Sequence, residues 1–153
     1  MIKIENTRKL YTDEVKIGPL DIEIPKAGFT SLIGPNGAGK STTLMMIGRL
    51  LDMDEGQIMV ANMDVSKSKS KDLAKIVTIL RQENHFVTRL TVRQLAGYGR
   101  FPYSQGRLTK EDEAIISKYI DFLDLNDLEN QYLDELSGGQ RQRLAIARAF
   151  LRD

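Results

Sequence analysis

Gly34-Pro35-Asn36-Gly37-Ala38-Gly39-Lys40-Ser41 lies between an apolar run, Phe29 to Ile33, and a helix-like run from Thr42 to Leu50. The stretch satisfies G-x-x-x-x-G-K-[ST] between an expected strand and an expected helix, the context in which the pattern has physical meaning. Glycine at 34, 37 and 39 permits backbone angles and close approaches that a Cβ would block. Successive N–H groups then face inward onto an anion, and the helix start adds its positive dipole end at the same spot. Lys40 offers a mobile positive charge to β- and γ-phosphates, and Ser41 a hydroxyl for Mg²⁺. Pro35, Asn36 and Ala38 complete the loop, the helix is expected to start near Lys40, and Thr42 opens its helix-like run. A glycine-rich turn matching by accident is the competing explanation. Four fixed positions match in on the order of one chain per few hundred of this size, so the flanking strand and helix decide for phosphate binding.

The chain has 153 residues, enough for one domain with a core and small for two. Its 22 basic and 21 acidic residues leave a net charge of +1. That balance gives no hint of nucleic acid, which favours a clustered basic face. There are no cysteines, hence no disulfide and no thiolate metal site. Met1-Ile2-Lys3-Ile4-Glu5 does not have the build of a signal peptide. The apolar stretches, Leu44 to Leu51 among them, are too short and interrupted to span a bilayer. The chain therefore reads as soluble, able to dock on something that is not.

Ile2 and Ile4, Val15 and Ile17, and Leu20, Ile22 and Ile24 alternate with polar residues, which predicts half-buried strands. Tyr11 falls between them; from spacing alone it is an ordinary strand-end aromatic. Asp54-Glu55-Gly56 turns into another short strand, Gln57 to Val60. Ser66-Lys67-Ser68-Lys69-Ser70-Lys71 reads as a solvated loop, and Lys71 to Lys75 as a short helix. Ile76 to Leu80 is nearly continuous and β-rich, so a buried, parallel strand is expected, ending at Arg81-Gln82. From Glu83 the pattern turns helical. Thr91 can cap a helix through Gly99, a loop is expected over Arg100 to Gly106, and Thr109 caps the next helix. That helix carries Ile115, Ile116, Tyr119, Ile120 and Leu123 at helical spacing. His85, the single histidine, reads as an exposed side chain without a catalytic role.

A second constellation stands near the end. Leu136-Ser137-Gly138-Gly139-Gln140 precedes a helical run from Arg141 to Leu151, with Leu144, Ala147 and Leu151 on one face. Ser137 and Gln140 have capping-box spacing. Capping alone does not explain two glycines in the first turn, which cost roughly 1 kcal/mol each against alanine unless bare backbone is needed there. A helix start with a serine hydroxyl and open N–H groups is a second anion site.

The phosphate loop and Leu136 to Gln140, separated by a helical block of this size, resemble the nucleotide-binding subunits of ABC transporters over the whole chain. The run Leu90 to Leu95, with Tyr98 to Thr109, is similar to the ATPases of bacterial iron-siderophore importers. The fold implied is α/β: a P-loop NTPase core with an N-terminal antiparallel β subdomain and an inserted α-helical subdomain. Residues 1–82 would form the core with that subdomain, 83–136 the helical subdomain, and 137–153 the signature loop and its helix. By the resemblance Tyr11 stacks on adenine, and Gln82 contacts Mg²⁺ and the attacking water and senses the membrane subunit. Ser137, Gly138, Gly139 and Gln140 grip the γ-phosphate of ATP held at the other subunit's loop.

The resemblance further implies ATP and Mg²⁺ as cofactors and a head-to-tail homodimer. It implies transmembrane permease subunits docked on the helical block, a substrate-binding protein reached through them, and no nucleic acid partner. The place of action would be the cytoplasmic face of the membrane. The family pattern continues past Asp153 with a Walker B aspartate, a catalytic glutamate and a switch histidine. This stretch is therefore expected to bind ATP, hydrolyse it poorly, and be marginally stable or self-associating. A soluble ABC-type ATPase of DNA repair or translation is the alternative, as is a truncated nucleotide binder without turnover. The resemblance implies that the permease and the outer binding protein choose the cargo.

Overall fold

The computed structural model describes residues 1–12, 14–80 and 89–151. Gln82 and His85 lie outside them. The chain forms two compact units, Met1–Val77 and Thr78–Asp153.

In the first unit, alternation becomes an antiparallel sheet of four strands, β2-β1-β3-β4. These are β1 (Ile2–Leu10), β2 (Lys16–Ile24), β3 (Glu55–Val60) and β4 (Met63–Asp64). Central β1 pairs Ile4 with Ile22 on one side and with Ile58 on the other. The same faces bury Ile4, Ile58 and Val60. Thr7 is fully buried inside this strand, and its hydroxyl is satisfied by donation toward the Gln57 and Glu5 carbonyls. Helix α1 (Lys40–Ile47) sends Met46 and Ile47 into this core, and α2 (Ser70–Ile76) adds Leu73. The helix thus begins at Lys40, as the loop implied, and ends earlier than the run to Leu50 suggested. Gly48 caps it, and Arg49 turns to φ +54°.

Two expected strands do not form. Residues 29–33 and 76–80 make no strand in the sheet. Phe29 and Ile33 are 97% and 93% exposed, and Ile76 and Leu80 are 41% and 46% exposed. A strand exists by its pairing, and an apolar run buried on both faces needs cover that the antiparallel sheet does not supply.

The second unit is helical: α3 (Val92–Gly97), α4 (Phe101–Ser104), α5 (Lys110–Phe122) and α6 (Gly138–Phe150), with short 3₁₀ turns between them. Thr91, Thr109 and Ser137 each close a reciprocal capping box, with Gln94, Asp112 and Gln140. Ile116, Ile120, Leu144, Ala147 and Leu151 come together with Val92 and Leu95 in one core. The loop expected over Arg100 to Gly106 instead contains α4, with Pro102 at its start, where a missing N–H costs nothing. Arg93 ties the unit together on its surface, reaching Glu113 at 2.7 Å and Glu129 at 3.0 Å.

Candidate functional site

The phosphate loop belongs to the first unit. After Gly34 and Pro35 the backbone turns at Asn36-Gly37, and the Ala38 N–H donates to the Pro35 carbonyl at 3.3 Å. Gly37 and Gly39 have φ of +84° and +81°, in the left-handed region. At Gly39 the requirement is double, because a Cβ would sit 2.7 Å from the Ile17 side chain. In the sequence Ile17 reads only as a strand residue; its closeness to Gly39 joins positions far apart in the chain, which spacing does not show.

Gly39 is the N-cap of α1 and offers no side chain to its first N–H groups. These groups have no intrahelical partner by geometry, so the helix start is open to an anion. The Lys40 side chain folds back over the loop and donates to the Gly34 carbonyl at 2.8 Å and the Pro35 carbonyl at 2.7 Å. Ser41 is exposed in the first turn, with its hydroxyl available as an oxygen ligand. Thr43 seals the turn from below: its N–H and hydroxyl both donate to the Gly39 carbonyl, at 2.8 and 2.9 Å.

Tyr11 lies just beyond β1, half exposed, and its hydroxyl shares a 3.2 Å hydrogen bond with Thr42 Oγ1. The structure therefore brings Tyr11, Thr42 and the phosphate loop into one neighbourhood. Asp54 holds the end of β1, just before Tyr11, by accepting the Leu10 N–H; in the sequence Asp54 reads only as a turn residue.

In the second unit Ser137, Gly138 and Gly139 are exposed at the start of α6. Ser137 Oγ accepts the Gln140 N–H at 3.3 Å, and Gln140 Oε1 accepts the Ser137 N–H at 2.7 Å. A Cβ at Gly138 or Gly139 would meet nothing within 4 Å. Internal packing thus does not explain these two glycines. Among the described residues no group of acids or histidines is placed to hold a metal by itself, and no helix is long and apolar enough to cross a membrane.

A glycine-cradled lysine at a helix start, beside an antiparallel sheet and ahead of a helical unit with an exposed Ser-Gly-Gly helix start, is the make-up of an ATP-binding cassette. The chain belongs to the ABC transporter family, whose model matches residues 17–153. It is 86% identical over 147 residues to petrobactin import ATP-binding protein FatE of Bacillus anthracis, covering 96% of this chain and 59% of that protein. It is 44% identical to petrobactin import ATP-binding protein YclP of Bacillus subtilis, covering 100% of this chain and 61% of the relative. A solved ATP-binding cassette, a dimer in a post-hydrolysis state bound to ADP and Pi, matches 99% of this chain and 70% of its own. Its TM-score is 0.81 and its identity 29%. The chain thus spans about 60% of the length of these import proteins.

Proposed function

We propose that this chain binds Mg·ATP and forms the nucleotide-binding part of an ABC importer ATPase for ferric siderophores. The observation that carries the reading is Lys40, whose ammonium lies against two neutral carbonyls of a left-handed glycine loop at an open helix start. Phosphate oxygens in place of those carbonyls would give the ammonium a full negative charge to pair with, where the neutral carbonyls give only a dipole. The residues fit the cofactor. Gly37 and Gly39 hold the loop in a shape that bares backbone N–H groups, and the exposed Ser41 hydroxyl is a hard oxygen donor of the kind Mg²⁺ accepts. Bound Mg²⁺ would supply charge neutralisation between the β- and γ-phosphates.

Around that centre the proposal assigns Tyr11 to the adenine ring and Gln82 to the metal and the water. Gly34, Pro35, Asn36, Ala38 and Thr42 complete the cradle. Ser137, Gly138, Gly139 and Gln140 are assigned to the γ-phosphate in a second copy's site. Their open helix start, with no packing demand for either glycine, supports this reading. The partners proposed are a second copy in a head-to-tail dimer and a membrane permease, with a substrate-binding protein beyond it, at the cytoplasmic face of the membrane. A ferric chelate as cargo is supported by the names of the relatives, which include a petrobactin import protein and a ferric enterobactin transport protein.

Calorimetric titration of the 153-residue chain with Mg·ATP tests the reading, beside Lys40→Ala. We expect saturable binding that weakens by about fiftyfold in the variant, as for loss of a hydrogen bond to a charged group. A folded parent that takes up no nucleotide, or a variant that binds as well as the parent, would overturn it.

A further inference from the structure

β1 ends at Leu10, and its edge toward β3 would be open there, because the last β1–β3 pair is Arg8 with Glu55. Asp54, the residue just before β3, closes that edge with three bonds. Its N–H donates to the Arg8 carbonyl at 2.9 Å. One carboxylate oxygen accepts the Leu10 N–H at 2.6 Å, standing in for the carbonyl that the next ladder position would offer. The other accepts Lys9 Nζ at 3.1 Å. The next residue is Tyr11, whose own N–H donates to the Val15 carbonyl at 2.9 Å.

From this geometry we infer that Asp54 is a positioning residue for Tyr11, fixing the strand end from which the ring meets a nucleotide base. The inference rests on the proposed reading of Tyr11 as the adenine platform. Two anchors then define the ring: the Asp54 clamp behind its backbone, and the Thr42 hydroxyl at its far end. A stacked base gains only when the platform is already ordered, since a mobile ring must be immobilised on binding. The carboxyl of Asp54 is held below the usual carboxylate range, chiefly by the Leu10 N–H and then by Lys9, so it is a carboxylate at neutral pH. Its effect should be specific to the base, because none of its bonds reaches the phosphate loop.

The test compares affinities of the whole chain for Mg·ATP and for Mg·tripolyphosphate, which has the phosphates without the base. Asp54→Ala should weaken ATP about fourfold and leave tripolyphosphate unchanged, while Tyr11→Ala should weaken ATP about tenfold, the range for losing a stacking partner. Asp54→Asn should stay near the parent, because its amide oxygen can still accept the Leu10 N–H. In a Tyr11→Ala background, Asp54→Ala should have no further effect. Equal loss toward both ligands, or a full effect in the Tyr11→Ala background, would overturn the positioning role. If Tyr11→Ala itself does not distinguish the two ligands, the adenine reading falls and the role of Asp54 falls with it. A parent that binds neither ligand overturns the phosphate-loop reading on which both depend.

Discussion

Arg100 and Asp112 are 8% and 5% exposed, and Nε of the arginine meets a carboxylate oxygen of Asp112 at 2.9 Å. Asp112 is also the third helical residue of the α5 capping box and accepts the Thr109 N–H at 3.0 Å. That N–H, then Arg100, hold its carboxyl below the usual carboxylate range, against the opposing effect of burial. In the unfolded chain the same group titrates at about 4. Between the folded and unfolded values the unfolded state binds more protons, so stability rises with pH in that window. The contribution is complete above about pH 4 and is lost as pH falls through the folded value. Asp112→Asn should remove this part of the acid slope. It should also cost about 3 kcal/mol at neutral pH, because Arg100 keeps the Leu151 carbonyl but loses its anion in a buried place. Urea titrations of both proteins between pH 2.5 and 7 read the two effects. An unchanged slope in the variant would assign the acid sensitivity to other carboxylates.

The helix α6 separates two demands that usually coincide. Ser137 serves stability: its capping bond satisfies an N–H that the helix cannot, so Ser137→Ala should cost about 1 kcal/mol. Gly138 and Gly139 do the reverse. Neither has a left-handed backbone, and an added Cβ would enter open space, so alanine fits. Each Gly→Ala change should then stabilise by about 0.5–1 kcal/mol, somewhat less in the first turn than mid-helix. For a chain of this size the pair should raise the melting temperature by about 2–6 °C. A thermal melt followed by helical circular dichroism checks the sign. A fall in melting temperature would mean that the glycines serve the helical unit itself, and the argument for an external partner at this helix start would lose its support.

At the scale of the whole molecule, what could be read in advance was what depends on near neighbours in sequence. The caps at Thr91, Thr109 and Ser137 need only the few residues that follow them, the sheet strands a period of two, and the loop its glycines and Lys40; each is where the pattern put it, and the structure adds Gln94 and Asp112 as reciprocal partners at the first two caps. The Ile17 contact under Gly39 and the Asp54 clamp on Leu10 join residues far apart in the chain, so no local pattern announces them. Residues 29–33 and 76–80 failed for a related reason. Their composition states that they want cover on both faces, but not which strand provides it. The consequence is a surface with nearly bare Phe29 and Ile33 on an unpaired segment. Unpaired backbone with adjacent apolar side chains is a template for association, and a charge placed on it is the usual remedy. The chain should therefore associate as its concentration rises through the micromolar range. Phe29→Lys with Ile33→Glu should return it toward a monomer with little change in melting temperature, since neither side chain is buried in a core. Size-exclusion chromatography with light scattering decides the matter. A parent that is monomeric throughout would show that these residues find cover within a single copy in solution. A double variant that melts much earlier would show that the cover contributes to its stability.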